Sequence, residues 1–130
     1  MQMAQTSFWD KLKALFSANK ASTESFGTPE VKDGIWYATK TDGNYLLGID
    51  TSVYDQIGQI TFADFPTDQS TIEIDDDILD IEGDKSVETL KSPIAGEVIE
   101  RNSDIGKDID RLNQPDPKIN WIMVIKKTKS

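Results

Sequence analysis

The chain contains no cysteine and no histidine among its 130 residues. Without cysteine it can form no disulfide, and it has no thiol to act as a nucleophile or a zinc ligand. Without histidine it also lacks the side chain that most often serves as general base near neutral pH and as metal ligand. Any chemistry must therefore come from carboxylates, from lysines or from a group attached to the protein.

Long apolar runs are also missing. No stretch approaches the roughly 18 apolar residues of a membrane-spanning helix. The N-terminus lacks the charged start, apolar run and small-residue cleavage site of a secretory signal. We interpret the chain as a cytoplasmic protein, and we do not expect a membrane to be its partner.

Basic residues are few, with 14 lysines and arginines against 23 aspartates and glutamates and a formal net charge of −9. Such a surface repels the phosphates of nucleic acids and of anionic lipids, so neither is expected as the main partner. Partner proteins with basic surfaces fit better, because opposite charges steer encounter. Alternatively, the acidic surface only keeps the protein soluble. Net charge alone does not distinguish this role from the binding of basic partner proteins.

The N-terminal part has a pattern of its own. Residues 1–20 predict an amphipathic helix, in which Ser7 is a suitable N-cap. The apolar residues at the three-and-four spacing of one helical face are Phe8, Leu12, Leu15 and Phe16. Residues 21–33 are mostly polar and predict a linker. The helix could dock on its own domain, on a partner or on a membrane, and docking on protein is favoured because its polar side carries only three lysines.

From residue 34 onward the periodicity becomes that of β-strands. Segments 35–39 and 45–49 flank a turn that contains Asp-Gly, and further strands are predicted at 59–65 and 71–74. A helical turn is predicted at 50–56 and a short helix near residues 103–112. Many short strands with frequent Gly and Pro turns indicate an all-β sandwich or barrel, which we assign to a domain of residues 34–127.

The closing strand is strongly apolar. Its alternation predicts Trp121, Met123 and Ile125 on one face, with Ile122 and Val124 on the other. Tryptophans in such strands are more often packed in a core or at its rim than used as ligand platforms.

A central hairpin is predicted between residues 78 and 90. Residues 78–81 are predicted to form the first strand and residues 86–90 the second. The turn between them consists of Glu82, Gly83, Asp84 and Lys85. Gly83 is expected to ease the turn by adopting backbone angles that other residues avoid. The acidic run at 75–77 lacks the central glycine and terminal glutamate of a calcium loop, so it is interpreted as a solvated turn.

Several segments resemble the H protein of the glycine cleavage system. Residues 48–66 resemble the family's G-I-T-x-x-A, L-G-D-I and L-P sequence, and residues 82–85 (EGDK) resemble E-S-V-K, whose lysine is lipoylated. Residues 92–98 (SPIAGEV) match S-P-x-x-G-E-V, and Trp121 stands at the family's W-L-x-K. The resemblance covers residues 35–126.

The resemblance implies a barrel-sandwich hybrid of the lipoyl/biotinyl hammerhead type, with Lys85 at a hairpin tip carrying lipoic acid through an amide bond. It implies a carrier without catalytic or metal-binding residues of its own. A lipoate ligase or lipoyl transferase would recognise Glu82, Gly83 and Asp84. Partner enzymes would be glycine decarboxylase, aminomethyltransferase and dihydrolipoyl dehydrogenase. Biotin is disfavoured because Lys85 lacks methionine neighbours.

Departures from the family pattern leave two alternatives open. The segment 34–37 lacks the family's early histidine, and the E-S-V-K segment keeps only Glu82 and Lys85. The first alternative is an H-like carrier used outside glycine cleavage, either in lipoyl relay or in an oxidative stress response with macrodomain and sirtuin-type ADP-ribosylation enzymes. The second is a binding module that is never modified.

Overall fold

The structure, a computed structural model, describes residues 26–128. Its regular secondary structure is almost entirely β-strand, so the predicted all-β class is confirmed. The strands in chain order are β1 Glu30–Lys32, β2 Ile35–Thr39, β3 Tyr45–Ile49, β4 Ile60–Asp64, β5 Thr71–Ile72, β6 Asp77–Gly83, β7 Val87–Lys91, β8 Gly96–Arg101 and β9 Trp121–Lys127. One short helix, α1 Ser52–Ile57, joins β3 to β4, and a 3-10 helix, Ile109–Asn113, lies between β8 and β9.

The strands form two antiparallel sheets. The larger sheet has the order β1-β2-β3-β9-β8-β5, and the smaller has the order β4-β6-β7. Alternate residues of both sheets meet in one apolar core, which includes Leu47 and Ile122 from the larger sheet and Ile81 and Leu90 from the smaller. Burial of one face of each sheet is what the period-two pattern predicts.

The predicted faces of the closing strand were wrong. The inward side chains of β9 are Ile122, Met123 and Ile125, and the outward ones are Trp121 and Val124. The cause is an irregularity in the pairing with β3, where Leu47 lies opposite Met123 but Gly48 lies opposite Trp121. One extra residue in β9 shifts the alternation, as a β-bulge does.

The structure also corrects the predicted helix between β8 and β9 and bears on the predicted linker. The helix near residues 103–112 is reduced to turns at 103–107 and the 3-10 helix Ile109–Asn113. Part of the predicted linker is folded, because β1 pairs with β2 and Phe26 forms a bridge with Lys40. Strand β1 thus lies within the predicted linker of residues 21–33, and the domain boundary at residue 34 stays a prediction. The predicted helix at 1–20 lies outside the described residues.

The acidic run leads into β6 as a turn whose members each have a local partner. Asp75 has a left-handed φ of 72° and lies 4.0 Å from the Lys32 ammonium. Asp76 accepts a hydrogen bond from the Glu73 amide, and Asp77 forms a 2.6 Å ion pair with Lys91, which raises the pKa of Lys91. These carboxylates therefore organise the turn.

Among residues 26–128, no helix combines the length and apolar character needed to span a bilayer.

Candidate functional site

Lys85 lies at the tip of the hairpin formed by β6 and β7. Glu82 pairs with Val87 across the hairpin, and the Gly83 amide donates to the Ser86 carbonyl oxygen at 2.9 Å. Strand pairing therefore continues past the predicted start of the turn, and residues 84–86 make the reversal. Lys85 is exposed, and among the described residues no carboxylate forms an ion pair with its ammonium.

The backbone of the tip rests on the connection between α1 and β4. The Lys85 amide donates to the Ile57 carbonyl oxygen at 2.9 Å, and the Asp84 amide donates to that of Gln59 at 3.2 Å. In return, the Gln59 amide donates to Asp84 Oδ1 at 3.1 Å. We call residues 57–59 the platform. Three hydrogen bonds fix the base of the hairpin tip while the Lys85 side chain extends into solvent.

Glycines allow the tip to approach the platform. A Cβ on Gly83 would lie 2.1 Å from the Ile57 carbonyl oxygen. Gly58 has a φ of 80° and ψ of −154°, which favour glycine, and a Cβ there would collide with Asp84 Oδ1 at 1.8 Å. Gly83 is not among the residues with positive φ, so the sequence-based reason given for it was wrong. Close packing, rather than an unusual backbone angle, requires this glycine.

The platform is anchored in turn by the hydroxyl of Tyr54 in α1. That hydroxyl donates to the carbonyl oxygen of Leu112 in the 3-10 helix, and it accepts from the Asn120 amide at 3.3 Å. Asn120 is fully buried, donates to the Ile49 carbonyl oxygen at 3.1 Å and accepts from the Trp36 indole at 3.0 Å. These contacts connect α1, and hence the platform, to the larger sheet.

We expect the Tyr54 anchor to weaken at alkaline pH. Burial raises the pKa of Tyr54 above 10.0, the hydrogen bond with Asn120 opposes this rise, and the charge of Asp50 adds to it. Above pH 10 the unfolded chain loses this proton before the folded one, so the stability contribution is full below pH 10 and is lost as pH rises through the folded pKa.

Tyr54→Phe should lower the free energy of unfolding by about 1 kcal/mol at neutral pH. The free energy of unfolding of this variant should then fall less steeply than that of the wild type as pH rises above 10. Urea denaturation of both proteins from pH 7 to 11 measures this difference. Parallel declines of the two proteins with pH would show that Tyr54 does not carry the effect.

The surface beside the tip is acidic with two apolar side chains. Glu82 is exposed and lies between Phe62 on β4 and Val87 on β7, which are 46% and 67% exposed. The carboxylate of Asp84 faces the platform instead, so the two acids predicted to be recognised together have different surroundings. Glu82 is available to a partner, whereas Asp84 also holds the tip in place.

The profile of the family described as Glycine cleavage H-protein matches residues 28–130. The chain belongs to this family. It is 33% identical over 103 residues to a glycine cleavage system H protein of Leptospira biflexa, with 75% of this chain and 78% of the relative covered. It is 32% identical over 97 residues to a probable H protein of Thermococcus kodakarensis, covering 75% of this chain and 72% of the relative.

A solved structure of an H protein confirms the barrel-sandwich fold. The crystal structure of a glycine cleavage system H protein from Mycobacterium marinum superimposes with a TM-score of 0.64 at 22% identity. The match covers 77% of this chain and 83% of that one. Proteins of this family are non-catalytic carriers of the glycine cleavage system, which agrees with a chain that has neither cysteine nor histidine.

The platform residues were not recognised in the sequence as part of the site. Gly58 follows a short helix, and glycine is common just after a helix end. That signal identifies the end of α1. It gives no indication that the tip, some 25 residues further along the chain, packs on this glycine. The contact is visible only once β4 and β6 are paired.

Proposed function

We propose that Lys85 is the attachment site of a lipoyl group and that the chain presents this group to the enzymes of glycine cleavage. The observation that carries the proposal is an exposed lysine at the tip of a hairpin whose backbone is held by three hydrogen bonds to residues 57–59. A carrier lysine needs a fixed base and a mobile end, and this arrangement supplies both.

The surroundings of Lys85 fit such a group. The missing side chain of Gly58 leaves room for the aliphatic stem of Lys85, whose Cγ would lie 3.2 Å from a Cβ at that position. The ammonium has no ion pair with any described residue, so no such contact must be broken before its nitrogen can be acylated. A lipoyl group supplies a dithiolane, which can be reduced and can carry a transferred group while the protein presents it.

Amide formation also changes the charge of the tip. The Lys85 ammonium first gives up one proton to become a nucleophilic amine. Its nitrogen then displaces the leaving group of an activated lipoyl donor and loses a second proton to solvent or enzyme, which leaves a neutral amide with one N–H. The exposed carboxylates of Glu82, Asp84 and Glu88 then dominate the surface around it. Enzymes that act on the modified protein are expected to offer basic surfaces to these acids. The enzymes proposed are glycine decarboxylase, aminomethyltransferase and dihydrolipoyl dehydrogenase, with a lipoate ligase or lipoyl transferase for attachment.

The test is the intact mass of the full chain after incubation with lipoate, ATP and a lipoate ligase. We expect the mass to increase by one lipoyl group, located on Lys85 by peptide mapping. Glycine decarboxylase should then reduce and load the modified protein in the presence of glycine. An unchanged mass would favour the unmodified binding module. Full lipoylation without turnover by glycine decarboxylase would favour a carrier used in another pathway.

A further inference from the structure

The smaller sheet has one face on the core and one face toward solvent. Cross-strand partners and every second residue of a strand share a face, so the pairing of β4, β6 and β7 identifies the outward side chains. They form two rows across the three strands, which we call the acidic face: Phe62, Glu82 and Val87 in one row, and Asp64, Asp80 and Thr89 in the other. The first row borders the tip, because Glu82 lies three positions before Lys85.

The carboxylates of the acidic face have no neutralising cation. Asp64, Asp80 and Glu82 form no ion pair with any described residue. Within the three strands, the only basic residue is Lys91, which ends β7 and is paired with Asp77 at 2.6 Å. Asp64 lies directly opposite Asp80, and like charges in such cross-strand pairs destabilise a sheet. Positive charge from a partner would therefore bind favourably here and relieve this repulsion.

Two large apolar side chains of the acidic face are exposed. Phe62 and Val87 flank Glu82, whose carboxylate accepts no hydrogen bond from residues 26–128. This combination suits arginine, because a guanidinium can pair with a carboxylate and also stack on an aromatic ring. The chain itself contains such a contact, in which the guanidinium carbon of Arg101 lies 5.8 Å from the centre of the Phe65 ring.

The acidic face and the platform lie on opposite sides of the hairpin. Gly83 follows the core residue Ile81 by two positions, so a Cβ on Gly83 would point to the core side of β6. That Cβ would meet the carbonyl oxygen of Ile57 in the platform. Glu82 points the other way, since adjacent strand residues alternate. The platform therefore covers one side of the tip and leaves the side of the acidic face open.

We propose that the acidic face is the docking surface for the enzyme that attaches the lipoyl group, and that this enzyme presents arginine side chains to it. The inference rests on the proposed function of Lys85 and names the surface by which one of its enzymes binds. That enzyme must bring its catalytic centre to the Lys85 nitrogen, which ends a stem of only four carbons. It must therefore contact the protein beside the tip. Enzymes that act on the dithiolane meet it at the far end of a longer arm.

The first test measures kcat and KM for lipoylation of the full chain by a lipoate ligase at several salt concentrations. Asp64→Asn keeps an oxygen that can accept from the Phe65 amide. It should raise KM about threefold, leave kcat unchanged and weaken the dependence of KM on salt. Its midpoint in urea should equal or exceed that of the wild type, because the opposed carboxylates no longer repel, so a raised KM would not reflect unfolding.

Glu100→Gln is the matched control for charge. It removes one exposed carboxylate from β8 of the larger sheet and should keep the wild-type KM. Equal KM values for Asp64→Asn and Glu100→Gln would overturn the proposal, because they would show either a general effect of net charge or no effect of this face.

The second test examines the arginine contact at Phe62. Phe62→Leu keeps an apolar side chain but removes the ring, and it should raise KM about threefold. Phe62→Tyr keeps the ring and should retain the wild-type KM. If the two variants had the same KM, no cation would stack on this ring and the arginine contact would be refuted.

The last test separates this proposal from the function proposed for Lys85. An isotopically labelled Lys85→Arg chain, which cannot be acylated at that position, is titrated with the ligase, and we expect amide shifts in β4, β6 and β7. Shifts confined to α1 and the platform, with normal lipoylation of the wild type, would overturn the docking surface and keep the function of Lys85. Shifts on the acidic face without a mass gain in the wild type would do the reverse, and absence of both would overturn both. Shifts that depend on chain concentration before ligase is added would assign the face to a second copy.

Discussion

Lys85→Arg should abolish lipoylation of the full chain while leaving its fold unchanged. Arginine keeps the positive charge and a long stem, but its guanidinium stays protonated near neutral pH and does not act as the acceptor of an acyl group. The Lys85 side chain is exposed and makes no ion pair with the described residues, so its exchange should alter stability by about 0.5 kcal/mol or less. Intact mass after treatment with ligase measures the first effect, and urea denaturation measures the second.

Lys107→Arg is the matched control. Lys107 is also exposed and lies in the turn between β8 and the 3-10 helix, away from the platform. This variant should gain one lipoyl group at the wild-type rate. A Lys85→Arg protein that still gains a lipoyl group would assign the modification to another lysine and refute the proposal for Lys85. Because both variants keep the net charge, a difference between them cannot arise from electrostatic attraction of the ligase.

The strands and the hairpin could be predicted because their signals are local. Alternation of apolar and polar residues identified the β6–β7 hairpin from neighbours in the sequence alone. The role of Lys85, in contrast, came from resemblance to a family. Nothing in the periodicity distinguishes a lysine that carries a cofactor from a solvated lysine in a turn.

The predictions that were wrong or missing concern residues whose roles depend on contacts with distant parts of the chain. The faces of β9 were assigned from perfect alternation, and a one-residue irregularity opposite Gly48 reversed part of the assignment. Gly83 was given a conformational reason, whereas its actual constraint is the carbonyl of Ile57. No role was predicted for Asn120 from the sequence, although its side-chain amide forms hydrogen bonds with β3, with α1 and with Trp36. Each of these depends on tertiary contacts that a linear pattern does not encode.

The position of Lys85 therefore depends on contacts between the tip and the platform. An added Cβ at Gly83 would meet backbone there, whereas one at Gly58 would first meet the side chain of Asp84. Gly83→Ala should destabilise the domain by about 1–3 kcal/mol, because a Cβ placed 2.1 Å from the Ile57 carbonyl oxygen must push the strand or the platform aside. The hydrogen bond from the Lys85 amide to the same oxygen would lengthen or break. We expect faster hydrogen exchange at the Asp84 and Lys85 amides and a lower kcat/KM for lipoylation.

Gly106→Ala distinguishes this collision from a general effect of replacing glycine. A Cβ on Gly106 would meet no atom within 4 Å, and this glycine has no positive φ, so the substitution should be neutral or slightly stabilising. If the two alanine variants had equal stability in urea, the tip would not be packed against residues 57–59. If Gly83→Ala lost stability but kept wild-type exchange at Lys85 and wild-type lipoylation, the strain would be absorbed in the platform. A rigid base would then be unnecessary for recognition of the lysine.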